Sequence, residues 1–258
     1  MIIRSLFAAS AALLLIPAAA ANAAQVAALV GGDTIATVDT AQKKATGSVK
    51  VTGLTGLLVG IDVRPSDGLL YGLVDDGTVV TIAADGKATM KSKLDTMLAK
   101  GVTATVDFNP VADRLRVMGS DGMSLRANVD DGKVTKDGDH KYAEADMHKG
   151  EKPNVIAGAY TNSVKGTKET ALFNIDGTIG ALVKQAPPND GILGAVGKLG
   201  ITPSAVAFDI WSDGTKNEAW LMADGTLYSV DLASGKATEA AKIAGVTGKV
   251  TDIAIIGM

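Results

Sequence analysis

The sequence of 258 residues contains no cysteine. That excludes disulfide staples, thiol catalysis and a lipid-modified cysteine, and leaves core burial and sheet pairing to hold the fold. Aromatic residues make up only 4% of the chain, which weakens any case for the stacking surfaces that bind sugars or unpaired bases. Positive charge is not in excess: 25 Lys and Arg stand against 28 Asp and Glu, and no basic cluster occurs. Nucleic acid, which demands a basic face, is therefore not an expected partner. A sustained period of 3.6 residues is also missing beyond the N-terminus, which argues against a helical fold.

The one long apolar run lies at the start. Arg4 precedes the run Leu6 to Ile16, which is followed by Pro17 and by small residues ending Ala21-Asn22-Ala23. One cation, a short apolar core and an A-x-A-like site describe a secretory signal peptide over residues 1–23. The run is too short for a membrane anchor, so the expected mature chain is exported, periplasmic or secreted, with no membrane insertion. Removing Arg4 from the 25 Lys and Arg leaves 24 against 28 Asp and Glu, a net charge of −4. The 235 residues from 24 to 258 are enough for one large all-β domain.

What is abundant is Asp-Gly, which occurs ten times. Gly accepts positive φ and Asp bonds its own backbone, so Asp-Gly between short apolar runs signals a hairpin turn. The clearest example is Gly60 to Thr89, GIDVRPSDGLLYGLVDDGTVVTIAADGKAT, which divides at Ser66-Asp67-Gly68, Asp75-Asp76-Gly77 and Asp85-Gly86 into four short strands.

The first strand of this unit recurs at 103–110, 155–163, 205–212 and 251–258. Its central residue is Asp62, Asp107, Tyr160, Asp209 and Asp252 in turn, at spacings of 45, 53, 49 and 43. Propeller blades typically repeat at ~40 to 50 residues. The last copy has a first strand only, while VAALVGG, TIATVDT and KATGSVKV at the other end form three strands that lack a first. The economical arrangement is a β-propeller of five four-stranded blades, one of them sewn from both termini, so that no long sheet edge stays open. If the long third copy hides a further sheet, the number is six.

Four stretches in order, GIDVRPSDGLLYGL, VDFNPVADRLRVMGSDGMSLRAN, AYTNS and QAPPNDGILGAVGKLG, resemble the motifs of an exported bacterial family, domain-of-unknown-function family 4394. The resemblance covers essentially the whole mature chain. It supports the domain boundaries and a secreted setting, and it carries over no catalytic residues, because the family has no assigned activity.

Candidate chemistry lies first on the inner strands, where residues two apart share a face. Asp62 with Arg64, Asp107 with Asn109, Tyr160 with Asn162 and Asp209 with Trp211 are candidates for a ring at one channel mouth. Such carboxylates could hold a cation or act as acid and base on a sugar. The competing reading is that an Asp recurring in four of five repeats is part of the repeat's construction, bonding backbone where the blade begins. Arg114, Arg116 and Arg126 are candidates for gripping an anion, or else they cover apolar surface and pair with Asp113 or Asp121. His140 and His148 lie in the polar stretch 137–152, read as a solvated loop without metal-ligand spacing. Trp211 and Trp220 read as packing between blades. No G-x-S-x-G elbow and no calcium loop occurs, so no metal and no cofactor is expected. The sequence thus points to a binding or scaffold module for a small molecule or protein. Its rivals are a glycosidase-like hydrolase using channel carboxylates, and an outer-membrane barrel, for which the strands are short and the aromatics few.

Overall fold

The computed structural model describes residues 24–257; the expected signal peptide, residues 1–23, lies outside the described residues. Strands β1 (Gln25–Val30), β2 (Thr34–Asp39) and β3 (Lys44–Lys50) come first. The first blade is β4 (Leu58–Val63), β5 (Leu70–Val74), β6 (Thr78–Ile82) and β7 (Ala88–Lys93). The second is β8 (Ala104–Asn109), β9 (Arg114–Gly119), β10 (Ser124–Ala127) and β11 (Val134–Lys136). After β12 (Lys141–Tyr142), the third blade follows as β13 (Val155–Tyr160), β14 (Leu172–Asp176), β15 (Ala181–Gln185) and β16 (Ile192–Lys198). The fourth is β17 (Val206–Ser212), β18 (Asn217–Ala223), β19 (Thr226–Val230) and β20 (Ala237–Lys242), and β21 (Val250–Gly257) ends the chain.

Asp-Gly chemistry makes the hairpins. Eight of the ten Asp-Gly glycines have positive φ, and in seven turns the Asp carboxylate accepts the amide two residues on, as Asp76 does from Thr78 at 2.8 Å. The resulting sheets are separate antiparallel units, not one closed barrel. Their inner strands pack in a ring, β4 on β8, β8 on β13, β13 on β17, β17 on β21 and β21 on β4. Five blades are present, and no sixth sheet is hidden in the third copy. That copy gains a fifth strand instead, because β12 pairs parallel with β16. The stretch 137–152 is therefore not simply a solvated loop: part of it is sheet, and Tyr142 is buried.

The ring closes through the two ends of the chain. β21 pairs antiparallel with β1, Ala28 opposite Ile253 and Leu29 opposite Asp252, giving the order β21-β1-β2-β3. Five apolar clusters occupy the five joints between blades. Trp211 and Trp220 pack against the cluster between the fourth and closing blades, as the packing reading of the sequence expects.

Burial along β21 is continuous from Asp252 to Ile255 and stops at Ile256, and this sets a test of the closure. Ile253 is 2% exposed against Ala28, while Ile256 is 42% exposed. Ile253→Ala is expected to cost ~2 to 5 kcal/mol of unfolding free energy in urea melts. Ile256→Ala is expected to change it by less than ~0.5 kcal/mol. Equal effects at the two positions would contradict the closing pair.

Candidate functional site

Inner strands carry the candidate residues, and each recurrent Asp reaches across to the next blade. Asp252 Oδ2 accepts the Ile61 amide at 2.9 Å, Asp62 Oδ2 that of Phe108 at 2.7 Å, Asp107 Oδ1 that of Tyr160 at 3.0 Å and Asp209 Oδ2 that of Ile255 at 2.7 Å. The second oxygens of Asp62, Asp209 and Asp252 accept the amide of the following residue. The sequence reading of Asp as a backbone anchor is thus right in kind, but it missed the direction: the carboxylate ties two blades together. Only the joint between the third and fourth blades, where Tyr160 stands in place of Asp, differs. There Asn162 and Asn217 bond reciprocally, Asn162 N to Asn217 Oδ1 at 2.7 Å and Asn217 Nδ2 to Asn162 Oδ1 at 2.9 Å.

Close approach makes these bonds possible. A Cβ on Gly60 would lie 2.6 Å from Val106 Cγ2 and 2.9 Å from Asp252 Oδ2, so only glycine lets the closing blade's carboxylate reach the first blade. Asp62, Asp107 and Asp209 each place an oxygen within 4.8 Å of the others. Burial, with the neighbouring Asp209 charge, pushes Asp62 well above the usual carboxylate range; burial, with Asp62 and Asp209, does the same to Asp107. Burial raises Asp252 likewise and takes Asp209 up to about 6. One oxygen of Asp107 receives the Tyr160 amide, and no hydrogen bond reaches the other.

The remaining candidates are divided between separate networks. Arg64 leaves the channel at the end of β4 and forks onto Asp113, at 2.8 and 2.7 Å, and Asp130, at 3.2 and 2.8 Å. It is an outer tie between the first and second blades. Asn109 closes its own turn, accepting the Val111 and Ala112 amides. Tyr160 is fully buried, and its hydroxyl accepts from Arg116 Nε at 3.1 Å.

The three further arginines do not converge on open space. Arg116 is buried and also donates to Ser124, Asn189 and Asp137; Arg126 forks onto the same Asp137 at 2.7 and 2.9 Å. Arg114 bonds the Ala112 and Asp113 carbonyls. Instead of Asp113 or Asp121, the carboxylate partner of Arg116 and Arg126 is Asp137, on the loop after β11, and Arg114 meets Asp113 only through its carbonyl. His140 is a second correction. It is buried rather than solvated, neither ring nitrogen has a partner, and burial with the Arg116 charge lowers its pKa to about 4.

Strands β4, β13, β17 and β21 end on one face of the ring, called the exit face below. There a cavity of about 180 Å³ opens over the channel, lined by Asp62, Asp209, Ser163, Ser212 and Trp211 among others. Beside it an apolar groove of about 270 Å³ lies between the closing and first blades, and the two share Val63 and Ile256. Asp252, Asn217 and Asp137 are the site or joint residues that the sequence reading left out of its candidates. Asp252 was visible as a repeat position; the other two carry no local signal.

Comparison with solved structures gives low identities. A protein of unknown function from Bacteroides thetaiotaomicron VPI-5482 is 14% identical, covers 83% of this chain and 55% of its own, and superposes with a TM-score of 0.50. The chain thus spans little more than half of that protein, and the likeness concerns the fold alone. A protein of unknown function from Bacteroides caccae is 14% identical over 88% of this chain and 76% of its own, with a TM-score of 0.46. The computationally designed Ika8 protein is 16% identical over 88% and 60%, with a TM-score of 0.39. Among curated proteins, none matches. At the level of sequence families, the profile of a domain of unknown function, DUF4394, matches residues 34–254, and the chain belongs to that family.

Proposed function

We propose that this propeller is an exported binding or scaffold module that presents its exit face to a small molecule or protein, and that its channel carboxylates build the ring instead of performing catalysis. The observation that carries the reading is that all four recurrent Asp side chains accept backbone amides across blade joints. A glycosidase pair needs two carboxyl groups ~5 to 9.5 Å apart on either side of a substrate. Here Asp62 and Asp209 commit both oxygens and Asp107 commits one to backbone amides, which suits a joint better than a substrate cleft. Among the described residues no helix is long and apolar enough to cross a membrane.

Two measurements test this. The purified protein is expected to leave a broad panel of glycosides and esters intact, and Asp107→Asn is expected to lower the melting temperature. Turnover that disappears in Asp107→Asn while stability holds would establish the hydrolase. The second measurement is stability against pH. Carboxyls whose folded pKa is raised stabilise the fold fully only below their ordinary pKa, and that stabilisation is lost as pH climbs through the folded pKa. The inner Asp groups therefore favour acid. Paired surface carboxylates such as Asp113 and Asp130, lowered by Arg64, act oppositely and lose their contribution below about pH 4. Melting temperature is expected to peak near pH 4 and to fall as pH climbs through about 6. Asp209→Asn should flatten that fall, and a flat profile in the parent protein would refute the structural role of the inner carboxyls.

A further inference from the structure

The exit face combines three features. The first is charge. The mouth cavity has Asp62 and Asp209 in its wall, with Asp107 behind them in the same 4.8 Å cluster, and none of the residues lining it is basic. Carboxylates gathered in this way without a counter-ion repel one another and are costly to keep ionised. The second is Trp211, a half-buried ring on the same cavity. Its face already attracts a cation, since Lys216 Nζ sits 5.8 Å from the ring centroid while bonded to Glu218 at 2.7 Å. The third is the adjoining groove. Ile35, Val49, Leu70 and Ile82 line it, and Ile256 forms an exposed wall common to groove and mouth.

We infer that the exit face binds a small aliphatic amine, its ammonium in the mouth against Asp62, Asp209 and the Trp211 ring, its chain laid past Val63 and Ile256 into the apolar groove. Charge complementarity selects this occupant. An alkyl carboxylate would meet like charge, and an alcohol would use the groove but leave the carboxylates uncompensated. An inorganic ion would leave the groove idle. This inference rests on the reading of the exit face as the binding face and adds the class of ligand.

Binding is linked to pH. The groups facing Asp209 are Asp62 from β4, Asp107 from β8 and Asp252 from β21, with Tyr160 from β13 beside Asp107. An ammonium favours the ionised carboxylates, so affinity should rise between pH 5 and pH 7.5.

Titration calorimetry of the purified protein at low ionic strength provides the test, using linear alkylamines of increasing length with the matching alcohols and carboxylates. Amines are expected to bind with an affinity that rises up to about fourfold per buried methylene. They should bind at least about tenfold more tightly than the alcohols, and more weakly at pH 5 than at pH 7.5. Ser163→Lys places an ammonium at the mouth without removing a carboxylate and should weaken amine binding about tenfold or more; its unliganded melting curve checks that it folds. Ile256→Asp should abolish the gain with chain length. Alcohols binding as well as amines would overturn the inference while leaving the exit face as the binding face. Amine binding unaffected by Ser163→Lys, a response to calcium chloride alone, or no amine binding would also overturn it. A ligand mapped to the opposite face of the ring would overturn both this inference and the reading beneath it.

Discussion

The innermost strand of every blade has a partner on one side only, and the amides on its free edge must find acceptors inside the ring. Aspartate carboxylates from the neighbouring inner strand supply them at four of the five joints. Each of these bonds satisfies a buried amide that would be costly to leave unpaired, and each one fixes the position of a whole blade against the next. The apolar clusters between the sheets provide most of the burial, but burial is non-directional. The carboxylates give the ring its register, and their crowding at the centre is the cost, expressed as raised pKa values.

Replacement of the recurrent Asp by Tyr160 fits that constraint. A fifth carboxylate would add to a group already within 4.8 Å. Tyr160 instead turns its hydroxyl to Arg116, whose other nitrogens donate to Ser124, Asn189 and Asp137. The tie between the third and fourth blades passes to the Asn162–Asn217 pair, which is uncharged. One joint thus exchanges a single carboxyl–amide bond for two amide bonds, and the number of acidic groups at the centre is limited.

Strands, turns and ring closure could be read from the sequence because they depend on local chemistry: Asp-Gly pairs mark the hairpins, and three orphan strands at one end match one lone strand at the other. The site was only partly readable. Arg64 shares a strand face with Asp62, yet β4 ends at Val63, and in the turn beyond it the guanidinium leaves the channel for Asp113 and Asp130, 49 and 66 residues away. His140 sits among polar neighbours in sequence, but the β12–β16 pairing draws that stretch against the third blade and buries the ring. Long-range pairing decides both outcomes, and no local pattern reports it.

Stagger between inner strands explains how a repeat produces an asymmetric mouth. Asp252 bonds the residue before Asp62, Asp62 bonds the residue after Asp107, Asp107 bonds Tyr160 at the matching position, and Asp209 bonds a residue three beyond Asp252. The blades are therefore displaced along the channel relative to one another, and the same residue at the same repeat position meets different surroundings. Asp62, Asp107 and Asp209 gather while Asp252 lies outside their cluster, and only Asp62 and Asp209 reach the wall of the cavity on the exit face. A strictly symmetric ring would have offered equivalent carboxylates all round the axis. The stagger turns a structural repeat into one acidic mouth beside one apolar groove.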